Sequence, residues 1–209
     1  MKKILIMAIC FLLTSCFEIT ERIKHHEDQS GEYSLMIDFS KSWLKTKSAI
    51  FLGEVDGEKI PDEAEINKKL DDFKKMASAI EGISNVRTKT NFDDFIFTID
   101  LDYKNLKALN LVINSINKQK DKIHFLPTES GGFSRKTNYP IPEKLANDPK
   151  KKSDLQAASV IAIYTFDKNI KSVGNYKTKL SKNQKTIFLK QSVYDVLQSP
   201  NLMNNTINL

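Results

Sequence analysis

The chain has 209 residues, 40% of them hydrophobic and 28% charged, with a formal net charge of +6. This apolar content can build a packed core and excludes a wholly disordered chain. The cysteines are Cys10 and Cys16 alone, so beyond residue 16 there is no thiol for a disulfide, a cysteine nucleophile or a cysteine metal site.

The first element is a signal. Lys2 and Lys3 give a positive start, Ile4 to Leu13 is unbroken apolar sequence, and Thr14 and Ser15 are small. That order of charge, grease and small residues is secretory. The apolar run is about half the ~20 residues that a membrane-crossing helix needs. Leu13-Thr14-Ser15-Cys16 resembles the lipobox of bacterial lipoproteins. The resemblance implies removal of residues 1–15 and acylation of Cys16 with diacylglycerol and palmitate-type chains. Two or three acyl chains hold a protein firmly where one does so only marginally. Loss of Lys2 and Lys3 lowers the formal charge from +6 to +4. No Asp follows Cys16 directly, which leans the address toward the outer membrane.

From Phe17 the pattern has period two. Phe17, Ile19 and Ile23 fall on one side; Glu18, Thr20, Arg22 and Lys24 fall on the other. After the turn-rich "HHEDQSGE", Tyr33, Leu35, Ile37 and Phe39 alternate again. Two such runs around an Asp/Ser/Gly turn predict a β-hairpin with one buried face. It starts almost at Cys16, so the domain is expected to sit close to the membrane.

Trp43, Leu44, Ile50 and Phe51 suggest a short helix or an edge segment. Pro61-Asp62-Glu63 starts a helix with Ile66, Leu70, Phe73, Ala77 and Ile80 on one stripe, and Gly82 as its stop. Val86 to Thr90 is a short strand. The clearest strand follows, with Phe95, Phe97, Ile99, Leu101 and Tyr103 on one face and Ile96, Thr98, Asp100 and Asp102 on the other. Leu106, Leu109, Ile113 and Ile116 mark a second amphipathic helix. The first half therefore reads ββαββα. It predicts an α+β fold: antiparallel sheet with amphipathic helices packed on one face, followed by further hairpins.

A hairpin is expected over Ile123–Leu126 and Phe133–Lys136. The Pro/Lys-rich stretch near 139–153 reads as a mobile loop. Asp154–Ala158 ends a helix, Val160–Phe166 is apolar enough for a central strand, and Ile187–Leu189 is another strand. Val173, Tyr176 and Leu180 mark weaker extended pieces, and Ser192 caps a short helix over Val193–Gln198. Residues 16–209 are expected to form one domain. "CFEITERIKHHEDQSGEYSLMIDFS", residues 16–40, resembles the opening hairpin of the LppM-type lipoprotein domain, and residues 164–190 are similar to the closing segment of uncharacterised bacterial lipoproteins. The resemblance implies an α+β domain on a lipid anchor and transfers no catalytic residue.

The chemistry-bearing side chains are few. His25 and His26 adjoin Glu27 and Asp28, but neighbours in a strand point to opposite faces, and a polar hairpin turn explains them without a metal. His124 is remote in sequence. Asp100 and Asp102 share a strand face about 7 Å apart at Cα, which invites comparison with the ~5 Å carboxyl pair of a retaining glycosidase; solvated strand polarity is the ordinary explanation. Asp93-Asp94 and Asp71-Asp72 are read as turn and helix surface. Lys150 to Lys152 form a basic tip that reads as a solvated loop, with contact to lipid head groups as the alternative. No cofactor or metal site is expected. Nucleic acid is a poor partner, since Arg22, Arg87 and Arg135 are the whole arginine complement. The expected function is a membrane-anchored, non-enzymatic binding or scaffold module with an envelope protein partner. The alternatives are an envelope hydrolase using acids such as Asp100 and Asp102, or an apolar-ligand carrier with a cavity beneath Phe95, Phe97, Leu106 and Ile113.

Overall fold

In a computed structural model of the chain, residues 17–55, 57–137, 149 and 151–209 are described. The signal segment, Cys16 and most of the 139–153 connection lie outside them.

The opening hairpin forms as the alternation predicts. Strand β1 (Glu18–His25) pairs antiparallel with β2 (Gly31–Asp38), from Glu18 opposite Asp38 to His25 opposite Gly31. Asp28 closes the turn, its Oδ1 accepting from the Ser30 amide at 3.0 Å and the Ser30 hydroxyl at 2.6 Å. Gly31 is there for close approach: a Cβ would run into the Lys24 carbonyl oxygen and stand 2.6 Å from Tyr103 Cζ.

A 3-10 turn (Ser40–Ser42) leads into helix α1 (Trp43–Leu52), and a small hairpin of β3 (Glu54–Val55) and β4 (Glu58–Lys59) follows. Helix α2 (Glu63–Ser78) starts where its cap is, with Asp62 Oδ1 accepting from the Glu65 amide at 2.8 Å. Ile66, Leu70, Phe73 and Ala77 form its buried stripe. Gly82, at φ 85°, turns the chain into β5 (Ile83–Asn91), which pairs with β6 (Ile96–Tyr103). Phe95, expected within that strand, stands just before it at φ 53° and is still buried. Helix α3 (Leu106–Asn117) is capped by Asn105, whose Oδ1 accepts from the Ala108 amide at 2.9 Å.

The second half supplies β7 (Phe125–Pro127), β8 (Phe133–Arg135), α4 (Lys152–Ala157), β9 (Ser159–Phe166), β10 (Ser172–Val173), β11 (Lys179–Leu180), β12 (Thr186–Ser192) and α5 (Val193–Gln198). A 3-10 turn (Pro200–Met203) and a last strand, β13 (Asn205–Asn208), close the chain. That strand carries no sequence signal of its own beyond Ile207; it exists because it fills the slot between β8 and β10.

The architecture is α+β. Seven strands order as β11-β12-β9-β1-β2-β6-β5, and four more as β10-β13-β8-β7. The large sheet is mixed: β1 and β9 run parallel, from Glu18 beside Ser159 to His25 beside Phe166. The wholly antiparallel sheet expected from the hairpins is corrected by this one pair. The apolar run of β9 fits its position between two neighbours and in the core, with six of its eight residues buried. One contiguous hydrophobic cluster joins the inner face of the large sheet to α2, α3 and the small sheet. Phe133 meets Phe125, Tyr164 and Phe166 there, with ring centroids 5.1 to 5.3 Å apart.

Candidate functional site

The sheet has two distinguishable ends. Glu18, Asp38, Ile96 and Ser159 stand side by side at one end; His25, Gly31, Tyr103 and Phe166 stand at the other. Eight residues of β1 separate them by about 25 Å.

The first end is where the chain enters. Cys16 lies outside the described residues, and Phe17 directly after it is 2% exposed, its ring 5.6 Å from that of Phe39. Glu18 is tied to Lys41 and, at 3.4 Å, to Lys190, and the hydrogen bond from Lys41 holds its carboxyl below the usual range. Core packing therefore begins one residue after the cysteine. The 3-10 turn and α1 leave from this same end, because β2 finishes at Asp38 opposite Glu18.

The other end carries the acidic residues singled out by sequence. On the open face of the sheet, side chains align in rows across strands. Lys24, Glu32 and Asp102 form one row; Arg22, Ser34, Asp100 and Arg87 form the next. A cleft of about 240 Å³ runs along them, and one of about 450 Å³ adjoins it, lined by His26, Ser30, Gly82, Ser84 and Lys104; Glu32 and Asp102 belong to both. A bulge between Ser84 and Arg87 aims Asn85, whose Nδ2 donates to Asp102 Oδ2 at 2.6 Å. Asp100 lies opposite Arg87 and 4.0 Å from Lys89, and Lys24 pairs with Glu32 at 3.2 Å. The carboxylates thus stand in a mixed-charge ladder of cross-strand pairs. Such a groove can hold a polar partner by hydrogen bonds. Among the described residues no group of three His, Cys, Asp or Glu side chains is arranged to hold a metal ion.

The histidines divide. His26 is on the surface, donating to Asp167 Oδ2 at 3.0 Å. His25, expected in a polar turn, is instead the last residue of β1 and 1% exposed. It hydrogen-bonds the Tyr103 hydroxyl at 2.9 Å and meets Phe133 and Phe166 edge-on. Burial pushes its pKa down to about 4 and pushes the Tyr103 hydroxyl up. The reason is strand phase: Ile19, Ile23 and His25 share one face of β1. The adjacent pair does not converge, in keeping with the sequence reading. His124 is fully buried, with Nε2 donating to Asn114 Oδ1 at 3.1 Å; burial first, then the nearby Arg135 charge, lowers its pKa to about 4.

Glu21 is the residue that sequence reasoning overlooked. It shares the inward face of β1 and is 5% exposed. Arg135 from β8, 2% exposed, donates to it from Nε at 3.0 Å and from a terminal nitrogen at 3.1 Å. The Tyr164 hydroxyl also donates to it, and Arg135 lies over the Phe125 ring at 4.7 Å. This fork joins the large sheet to the small one inside the core.

Two other expectations meet the structure differently. Of the basic tip, Lys150 is outside the described residues, Lys151 is 6% exposed, and Lys152 lies over the Tyr194 ring at 5.3 Å. It is not a uniformly solvated point of charge. Phe95, Phe97, Leu106 and Ile113 are all buried in the main core, and neither cleft is lined by any of them.

No helix among the described residues is long and apolar enough to cross a membrane. No family model matches the chain. No curated protein matches it either. Among solved structures, the folded domain of LppM from Mycobacterium tuberculosis, determined by NMR, is similar over 93% of this chain and 91% of that one, at 10% identity and a TM-score of 0.41. A likeness at that level carries no functional argument.

Proposed function

We propose that the chain is a lipid-anchored protein of the bacterial envelope, held by an acylated Cys16, and that it serves as a non-enzymatic binding or scaffold module. The observation that carries this reading is the burial of Phe17 at the head of a central strand, one residue after the lipobox-like Leu13-Thr14-Ser15-Cys16. A lipid there would be joined to the folded body with no linker. The mixed-charge groove, from about 13 to 25 Å along β1, would then stand off from the bilayer as the surface offered to a partner.

The anchor is tested by Cys16→Ala. Metabolic labelling with palmitate and membrane fractionation should show label and membrane association in the native chain and loss of label in the variant. A Cys16→Ala chain that is still acylated would refute the anchor. The binding role is tested by a photo-crosslinking residue at Ser34 or Ser84, on the groove. One reproducible envelope protein would support the scaffold; a bound lipid or glycan without any protein would refute it in favour of the carrier or hydrolase.

A further inference from the structure

Helix α1 packs Ile50 part-buried on the core but turns its other large apolar side chains outward. The residues that it buries are Thr46 and Ala49, with Ser42 just before it. The residues that it exposes include Leu44 at 69%, Phe51 at 89% and Leu52 at 69%. Leu44 and Phe51 are seven apart, so they lie within about 20° of one line along the helix. An ordinary surface helix turns such a stripe inward. Here Ser42 occupies the inward position, its hydroxyl donating to the Phe39 carbonyl at 2.9 Å.

We propose that this face of α1 is a membrane seat: Leu44, Phe51 and Leu52 enter the head-group boundary of an anionic bilayer, with Trp43 at the rim. The proposal rests on the lipid anchor at Cys16 and adds how the domain is oriented on the membrane. Three observations select a bilayer over other occupants. The chain leading to Cys16 ends against this region, since Phe17 packs on Phe39 and α1 begins four residues later. From Ser40 to Leu52 the sequence has no acid; Lys41 is paired with Glu18, and Lys45 and Lys47 give the helix itself a positive charge that complements anionic lipid. Lys47 lies 4.6 Å over the ring of Trp43, which is 39% exposed, so an aromatic and a cation border the apolar stripe as at membrane interfaces.

Trp43 is the sole tryptophan of the chain and reports on the seat directly. The full-length protein would be reconstituted into phosphatidylethanolamine/phosphatidylglycerol vesicles with and without brominated acyl chains, and separated by flotation. The expected result is flotation with Trp43 emission blue-shifted and quenched by bromine. Leu44→Ser/Phe51→Ser should still float through its lipid and keep its thermal transition, since both side chains are exposed, yet lose the quenching. Lys47→Glu should reduce it in anionic vesicles. A floating protein with unquenched Trp43 would overturn the seat and leave the anchor standing. Blue-shifted but unquenched emission would place protein on this face and also overturn it. Undiminished quenching in the double serine variant would overturn the role of this stripe. A native chain that fails to float would overturn the anchor and the seat together.

Discussion

Replacing Arg135 with Met should be among the most damaging single substitutions in the core. The Glu21 carboxylate accepts two hydrogen bonds from the Arg135 fork, at 3.0 and 3.1 Å, and one from Tyr164. With both partners at least 95% buried, water cannot replace the lost cation. Breaking a buried pair by removing one member costs about 3–5 kcal/mol, because an uncompensated charge is left in a low-dielectric interior. Met preserves most of the packing over Phe125, so the loss reports on charge more than on volume. The triple variant Glu21→Leu/Arg135→Met/Tyr164→Phe removes the charge, its partner and the hydroxyl that would otherwise lose its acceptor. It should recover most of the stability, ending within about 1–2 kcal/mol of the native chain. Urea unfolding followed by circular dichroism measures all three proteins. If Arg135→Met cost less than about 1 kcal/mol, or the triple variant were no better than the single one, the argument for a desolvated, mutually compensating pair would fail.

The buried histidines make stability depend on pH. His25 and His124 have folded values near 4 against about 6.5 in the unfolded chain. Between those values the unfolded chain binds more protons, so stability falls as pH drops from about 6.5 toward 4 and is insensitive to these groups above 6.5. Melting temperatures at pH 7 and pH 4.5 should show the fall, and an NMR titration placing both imidazoles near 6.5 would contradict it. Gly31→Ala forces a methyl group into the Lys24 carbonyl and the Tyr103 ring and should cost about 1–3 kcal/mol; an unchanged denaturation midpoint would show that the hairpin gives way freely. Ser192→Ala removes an oxygen that accepts from the Asp195 amide at 3.0 Å and should cost about 1 kcal/mol by the same assay. Asp100→Asn lies on the open face and should change stability by less than about 0.5 kcal/mol, so a larger loss would mean that its ladder of cations carries real strain relief.

Much of the local structure is legible in the chain itself. Alternation over residues 17–24 and 33–39 predicts β1 and β2 to within a residue or two, because a strand with one buried face must repeat every second residue. The stripe Ile66, Leu70, Phe73 and Ala77 predicts α2, and Asp62 and Ser192 mark helix starts. Even the inward turn of Glu21 and His25 is implied by the phase that Ile19 and Ile23 set, although polarity argues the other way. What periodicity cannot supply is the partner. Arg135 reaches Glu21 across 114 residues, and β9 takes its place beside β1 across a comparable span. Helix α1 shows the same limit from the other side: Leu44 and Phe51 are apolar, yet Thr46 and Ala49 are the residues the helix turns to the core. Which face of an element is apolar is a property of neighbouring residues along the chain. What that face meets is decided by volume and charge brought together from distant segments, and only the tertiary structure holds that information.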